Sequence, residues 1–293
     1  MGAFLQVLIN GTGKGAVFAL LALGFVIIYK ATQVVNFAHG SLALFGGYVV
    51  AVLKPAVGWW AAALAGIAAA ALLALVVERL LLARARFATD TGLAILTIGV
   101  DVVLLTEIAR RLGTEAPPFL GDPYDVRPIV LGGVTIGRAQ AVALGVAVLL
   151  IVVFFLAFRF SSWGIAMRAQ SENREAAALA GIRIARVRAS AWAVGGALAG
   201  ISVLFLATQD FSGGGLSATT HGIALAAFPA AIIGGLTSPG GAVVGGFVVG
   251  LTEAFTAQYV SLDFAKVAVY LVMLVVLVFR PSGLFGKVVQ SRV

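Results

Sequence analysis

Asp101 lies within an apolar run over 92–112. A carboxylate at the centre of a membrane span costs about 2.5–3.5 kcal/mol on insertion scales, so it asks for a partner or a polar path. Thr97 stands four residues earlier on the same helical face. Two readings of Asp101 stay open. It lines a polar path or pairs with an arginine of another subunit, or it is a buried, hydrogen-bonded carboxyl near a helix break. The chain has two histidines, His39 and His221, each placed before a glycine at the start of an apolar segment. Asn36 and His39 could face the same path, although Asn36 is a good helix N-cap type and is read first as one. A metal site needs three or four convergent ligands; two isolated histidines and no cysteine supply none. Ser41 and His39, two apart on one helix, do not face each other, and no H-E-x-x-H motif is present, so no catalytic residues are read. The string Gly11-Thr12-Gly13-Lys14-Gly15 lacks the earlier glycine and the final hydroxyl that a phosphate-binding loop requires. No cofactor is expected on this chain.

The richest polar stretch is 159–189. Within it, Ser171 is a candidate N-cap, and Glu172 and Glu175 suit the positive end of a helix dipole. Ala176, Ala177 and Ala178 are the best helix formers, and Gly181 fits a left-handed C-terminal position. A short helix over about 172–180 is expected, flanked by Arg168, Arg183, Arg186 and Arg188. It either docks into a groove on a soluble partner or simply connects two spans.

These residues need elements to hold them. The 293 residues are 61% hydrophobic and 11% charged, with a mean hydropathy of +1.08. An ordinary soluble domain carries about 25% charged residues, so the fold class is all-α, a polytopic helical bundle in a lipid bilayer, expected as one domain over 1–293. A span needs about 20 apolar residues. Candidates run over 7–29, 37–53, 59–82, 92–112, 139–158, 190–208, 221–236, 239–258 and 262–279. If 221–258 is a re-entrant hairpin the crossings number seven, otherwise nine. Either odd number separates the termini. With the C-terminus inside and the N-terminus outside, 13 of the 20 lysines and arginines are internal, as the positive-inside rule asks. That rule also accounts for the net charge of +8; no basic face with interleaved aromatics suggests nucleic acid. The first apolar segment has no basic start and is expected to be retained as a span. Residues 113–138, with Pro117, Pro118, Pro123 and Pro128, read as an external loop. Glu253, Gln209 and Asp210 are expected toward the outer side. Gly196/Gly200, Gly241/Gly245 and Gly246/Gly250 are small residues four apart, read as packing devices within the subunit.

Glu175-Ala176-Ala177 followed by Gly181 resembles the E-A-A-x-x-x-G coupling loop of ABC import permeases. Four further motifs narrow the resemblance to the LivH-type permeases of branched-chain amino acid importers: Ala19 to Gly24, Asn36-Phe37-Ala38-His39-Gly40, Thr97-Ile98-Gly99, and Arg280-Pro281-Ser282-Gly283-Leu284-Phe285-Gly286. It spans nearly the whole chain. It implies a second permease subunit, usually a homologue, and two cytoplasmic ATP-binding subunits carrying ATP and magnesium. It also implies a periplasmic substrate-binding protein and residence in a bacterial inner membrane. By this likeness, Arg168, Glu172, Glu175, Ala176, Ala177 and Gly181 contact the ATPase, while Asn36, His39, Thr97 and Asp101 are path candidates. Within the class, a urea or short-amide permease is the alternative. Outside it, an ion-coupled secondary transporter using Asp101 or Glu253 would explain the intramembrane acids but not the capped loop helix.

Overall fold

A computed structural model describes residues 2–85, 89–113, 120, 128–131, 133–208, 211 and 215–286. The helices are α1 (Gly2–Thr32), α2 (His39–Val57), α3 (Trp59–Val76, continued by a π-turn over Val77–Leu82), α4 (Asp90–Arg111), α5 (Arg138–Phe160), α6 (Ser162–Glu172), α7 (Arg174–Leu179), α8 (Ile184–Leu206), α9 (Ala218–Leu225), α10 (Ala227–Gly234), α11 (Pro239–Tyr259) and α12 (Leu262–Phe279). Among the described residues, eight helices are long and apolar enough to cross a membrane: α1 to α5, α8, α11 and α12. Each matches a run expected from hydropathy. The run at 221–236 differs. It is two helices of eight residues, broken at Ala226. Pro229 explains the break, since it has no N–H for the Leu225 carbonyl and its ring would crowd that carbonyl in a continuous helix. One element was not expected at all. Ile129–Leu131 and Val134–Ile136 pair antiparallel as a two-stranded hairpin, β1–β2, inside the stretch read as an external loop. The rest of that stretch from 114 to 127 lies outside the described residues, apart from Leu120.

Glycine builds the centre. A Cβ at Gly15 would stand 2.9 Å from the Phe247 backbone, and one at Gly11 3.1 Å from the Leu251 backbone, so α1 and α11 run antiparallel with backbones in close approach. Gly246 and Gly250 press on Ala19 and Gly15, Gly196 and Gly200 on Ala70, and Gly245 on Ala230. The small-residue pairs therefore pack helices of one chain, as expected where lipid supplies no hydrophobic drive between helices. The Gly11–Gly15 string is helix, and its glycines face α5 and α11.

These contacts assign the ends of the bundle. Gln6 bonds the Thr135 backbone at one end. At the other end the Leu284 and Phe285 amides donate to the Ile233 and Gly234 carbonyls. The described chain thus begins and finishes at opposite ends. Arg110 and Arg111, at the end poorer in basic residues, share Glu107 at 2.9 and 2.6 Å, which softens their conflict with the positive-inside rule.

Candidate functional site

Two polar regions stand out, one inside the bundle and one at its end. The inner region joins α2, α4 and α9. His221 Nε2 lies 2.9 and 3.1 Å from the two carboxylate oxygens of Asp101. An ionised carboxylate only accepts, and in that pairing Nε2 is the donor. Ser41 Oγ donates to Asp101 Oδ1 at 2.6 Å. Asp101 is therefore held by two partners of its own chain, which favours the hydrogen-bonded reading opened by the sequence. His221 also packs on Gly40, where a Cβ would stand 2.9 Å from the imidazole. The two His-Gly dipeptides meet in space. Nothing local in the sequence links His221 to Asp101, 120 residues away.

Thr97 ties α4 to the segment before α2. Its hydroxyl accepts the Phe37 N–H at 3.1 Å and donates to the Ala94 carbonyl at 2.7 Å. Asn36 corrects the sequence reading. Its Oδ1 accepts the Ala38 N–H at 3.1 Å, while the N-cap of α2 is Ala38, without a side-chain bond. Asn36 thus orders the turn one step ahead of the helix, a bond to the backbone two residues on, and its buried Nδ2 has no hydrogen-bond partner among the described residues. His39 is fully buried and packs against Phe25, ring centroids 4.4 Å apart and tilted by 45°. Neither of its ring nitrogens meets full hydrogen-bond geometry, although the Leu21 backbone lies alongside. Asn36, His39, Thr97 and Asp101 are brought within one layer of the bundle.

The second region is the loop between α5 and α8. The expected single helix over 172–180 is instead the end of α6 and a separate α7. The break falls at Asn173, whose Oδ1 accepts the Ala176 N–H at 2.9 Å. Asn173, not Ser171, is the cap; both are cap-forming types, and Ser171 spends its hydroxyl on the Arg168 carbonyl at 2.9 Å. Glu172 closes α6 rather than opening the next helix. Glu175 keeps its place in the first turn of α7. Gly181 has φ +84°, and the Ile182 N–H donates to the Ala177 carbonyl at 3.0 Å, which forms the left-handed exit expected of it. Arg168 turns back to the bundle. Its guanidinium bonds the Phe158 and Arg159 carbonyls at the end of α5 and lies over the Phe158 ring. It complements a helix C-terminus rather than facing outward. Gln170 donates to the Ala31 carbonyl at 2.6 Å and Trp163 to Ser190 at 2.8 Å, so α6 is pinned to α1 and α8. In α7 Ala177 is buried, whereas Arg174, Glu175, Ala176 and Leu179 are exposed, Leu179 at 90%.

The sequence reading passed over Glu78. It sits in the π-turn after α3, its side chain 2% exposed, 2.9 Å from the Arg188 guanidinium at the start of α8. The acid within a basic, apolar stretch was the available signal. Lys14 and Glu253 form a second ion pair at 2.7 Å. Gln209 and Asp210 lie outside the described residues.

The chain is similar to transport permeases throughout. Residues 7–278 match the family model described as branched-chain amino acid transport system, permease component. The high-affinity branched-chain amino acid transport permease LivH of Escherichia coli K12 is 28% identical, over 97% of this chain and 96% of that one. BraD of Pseudomonas aeruginosa is 28% identical over the same shares. A probable LivH of Methanocaldococcus jannaschii is 29% identical, over 91% of this chain and 88% of its own. Among solved structures, PsaBC of Streptococcus pneumoniae in complex with Fab superposes with a TM-score of 0.52 at 13% identity, covering 97% of this chain and 94% of that one; this is a likeness of fold. With the eight long apolar helices, these matches make the chain a multi-pass membrane protein that belongs to the permease-component family of branched-chain amino acid transport systems.

Proposed function

We propose that this chain forms, with a second permease subunit, the path of an ATP-driven importer of branched-chain amino acids in an inner membrane, and that α7 receives the stroke of a partner ATPase. One observation carries the coupling role. α7 is a separately capped helix with Glu175 and Leu179 outward, on a loop whose preceding helix α6 is pinned to α1 and α8 by Gln170 and Trp163. A lever must be rigid at its base and open at its tip, and this loop is both. Its end of the bundle also carries Lys30, Arg79, Arg159, Arg183, Arg186 and Arg280, which supports a cytoplasmic position by the positive-inside rule. The opposite end, with the β1–β2 hairpin, then meets the substrate-binding protein. In this reading ATP and magnesium belong to the partner ATPase. The names of the relatives support the substrate class.

The test is co-purification. The chain, tagged at its C-terminus and extracted in mild detergent at native expression, should carry one or two ATP-binding subunits and a second permease, identified by mass spectrometry. Intact chain recovered without an ATPase contradicts the proposal.

A further inference from the structure

A cleft of about 410 Å³ opens between α9, α11 and α12, within the range of roughly 300–1,000 Å³ usual for small-molecule sites. One wall is a single face of the discontinuous helix: Thr219, Gly222, Ile223 and, at the break, Ala226. Discontinuous helices place polar backbone at membrane depth, and transporters use such breaks to hold substrate. The other walls bring one charge of each sign. Glu253 gives Oε1 to Lys14 at 2.7 Å, which leaves Oε2 available to a second cation. Lys266 lines the same cleft, exposed and with no ion pair among the described residues. Between them Val269 and the Tyr270 ring add apolar surface.

We propose that this cleft is the station at which this subunit holds the transported molecule, a zwitterionic amino acid with an apolar side chain; the inference rests on the importer reading above. The ammonium of the substrate sits by Glu253, its carboxylate by Lys266, and its side chain against Ile223, Val269 and Tyr270. Urea and simple amides, having no formal charge, would leave both ionic groups unanswered. Lys14, hitherto a false phosphate-loop lysine, becomes the residue that orients Glu253. The Asp101–His221 bond lies behind the opposite face of α9 and positions that helix without touching substrate.

The chain has no cysteine, so a single introduced thiol reports one place. Gly222 is suited to it, because a Cβ there meets nothing within 4 Å. In the complete complex in proteoliposomes, Gly222→Cys and Thr219→Cys should react with a water-soluble methanethiosulfonate. L-leucine should slow both reactions at least fivefold, and urea should not. Gly222→Leu should cut ATP-driven leucine uptake at least tenfold, while Gly145→Leu, on α5 and equally open, should transport normally. Lys266→Gln should raise the KM for leucine at least fivefold. Should Gly222→Leu fail to assemble, the thiol reactions and the exposed Lys266 decide. Unprotected thiols together with a normal KM in Lys266→Gln overturn the cleft assignment, and protection by urea instead of leucine overturns the zwitterion. A wild-type complex without ATP-driven leucine uptake overturns the importer reading itself.

Discussion

α1 and α8 bury 83% and 72% of their most apolar stretch inside the chain, whereas α4, α5 and α12 bury 11%, 17% and 17%. Hydropathy runs the other way, at 1.9 and 1.8 for the buried pair against 2.0, 3.1 and 2.4 for the other three. What separates the two groups is glycine at close approach. In lipid an apolar side chain gains little by leaving the surface, so helices reach the centre by van der Waals packing of small residues. The peripheral helices keep Val102, Val103, Leu149, Val153 and Val278 outward, a face for lipid or for the proposed second permease.

That contrast can be broken most forcefully at Gly246, where an added Cβ would strike the Ala19 backbone. Gly246→Leu should cost about 3 kcal/mol or more by overpacking and sharply lower both the folded yield and the thermal unfolding midpoint. Gly145→Leu, in the peripheral α5, should stay within about 0.5 kcal/mol. Equal yields and midpoints would show that close approach does not organise the centre. Next in size is the Glu78–Arg188 pair. Glu78→Ala leaves a poorly exposed guanidinium unpaired and should destabilise by about 3 kcal/mol. Glu78→Ala combined with Arg188→Met should recover most of that loss in the same thermal assay. Asp101→Leu strands the His221 N–H and leaves the Ser41 hydroxyl only the backbone carbonyl of residue 101, at about 1–3 kcal/mol, and Asp101→Asn, which keeps a side-chain acceptor, should lose less. If Asp101→Leu unfolds no earlier than wild type, the inner cluster does not hold α9 in place. Smallest is Gly181→Val, since a left-handed backbone costs an L-residue roughly 1–2 kcal/mol. It should leave the bundle's midpoint nearly unchanged but lower ATPase activity in the complex, because only the exit of α7 is strained. Full ATPase activity would count against that geometry.

The long apolar spans were legible because a run of apolar residues is a one-dimensional signal that a bilayer converts directly into a helix. The break in 218–234 was legible in principle, through Pro229, but an apolar count passes over a single proline. The loop helix was placed to within two residues. Its cap was assigned to Ser171 because serine and asparagine are both cap types, and only the bond from Ser171 to the Arg168 carbonyl frees the role for Asn173. Arg168 was expected at the ATPase; that it turns inward depends on where α5 ends. Asp101 finds its partners on α2 and α9 and Glu78 finds Arg188 on α8, through contacts that no local spacing encodes.

In the proposed importer, energy enters through a partner ATPase rather than through the intramembrane acids. The direct measurement is L-leucine uptake into proteoliposomes holding the complete complex and its binding protein, with ATP, after replacing the catalytic glutamate of the ATPase by glutamine. Sustained uptake should fall to background. Uptake that continues, and follows a proton or sodium gradient, would contradict the proposal and return Asp101 and Glu253 to the centre of the mechanism.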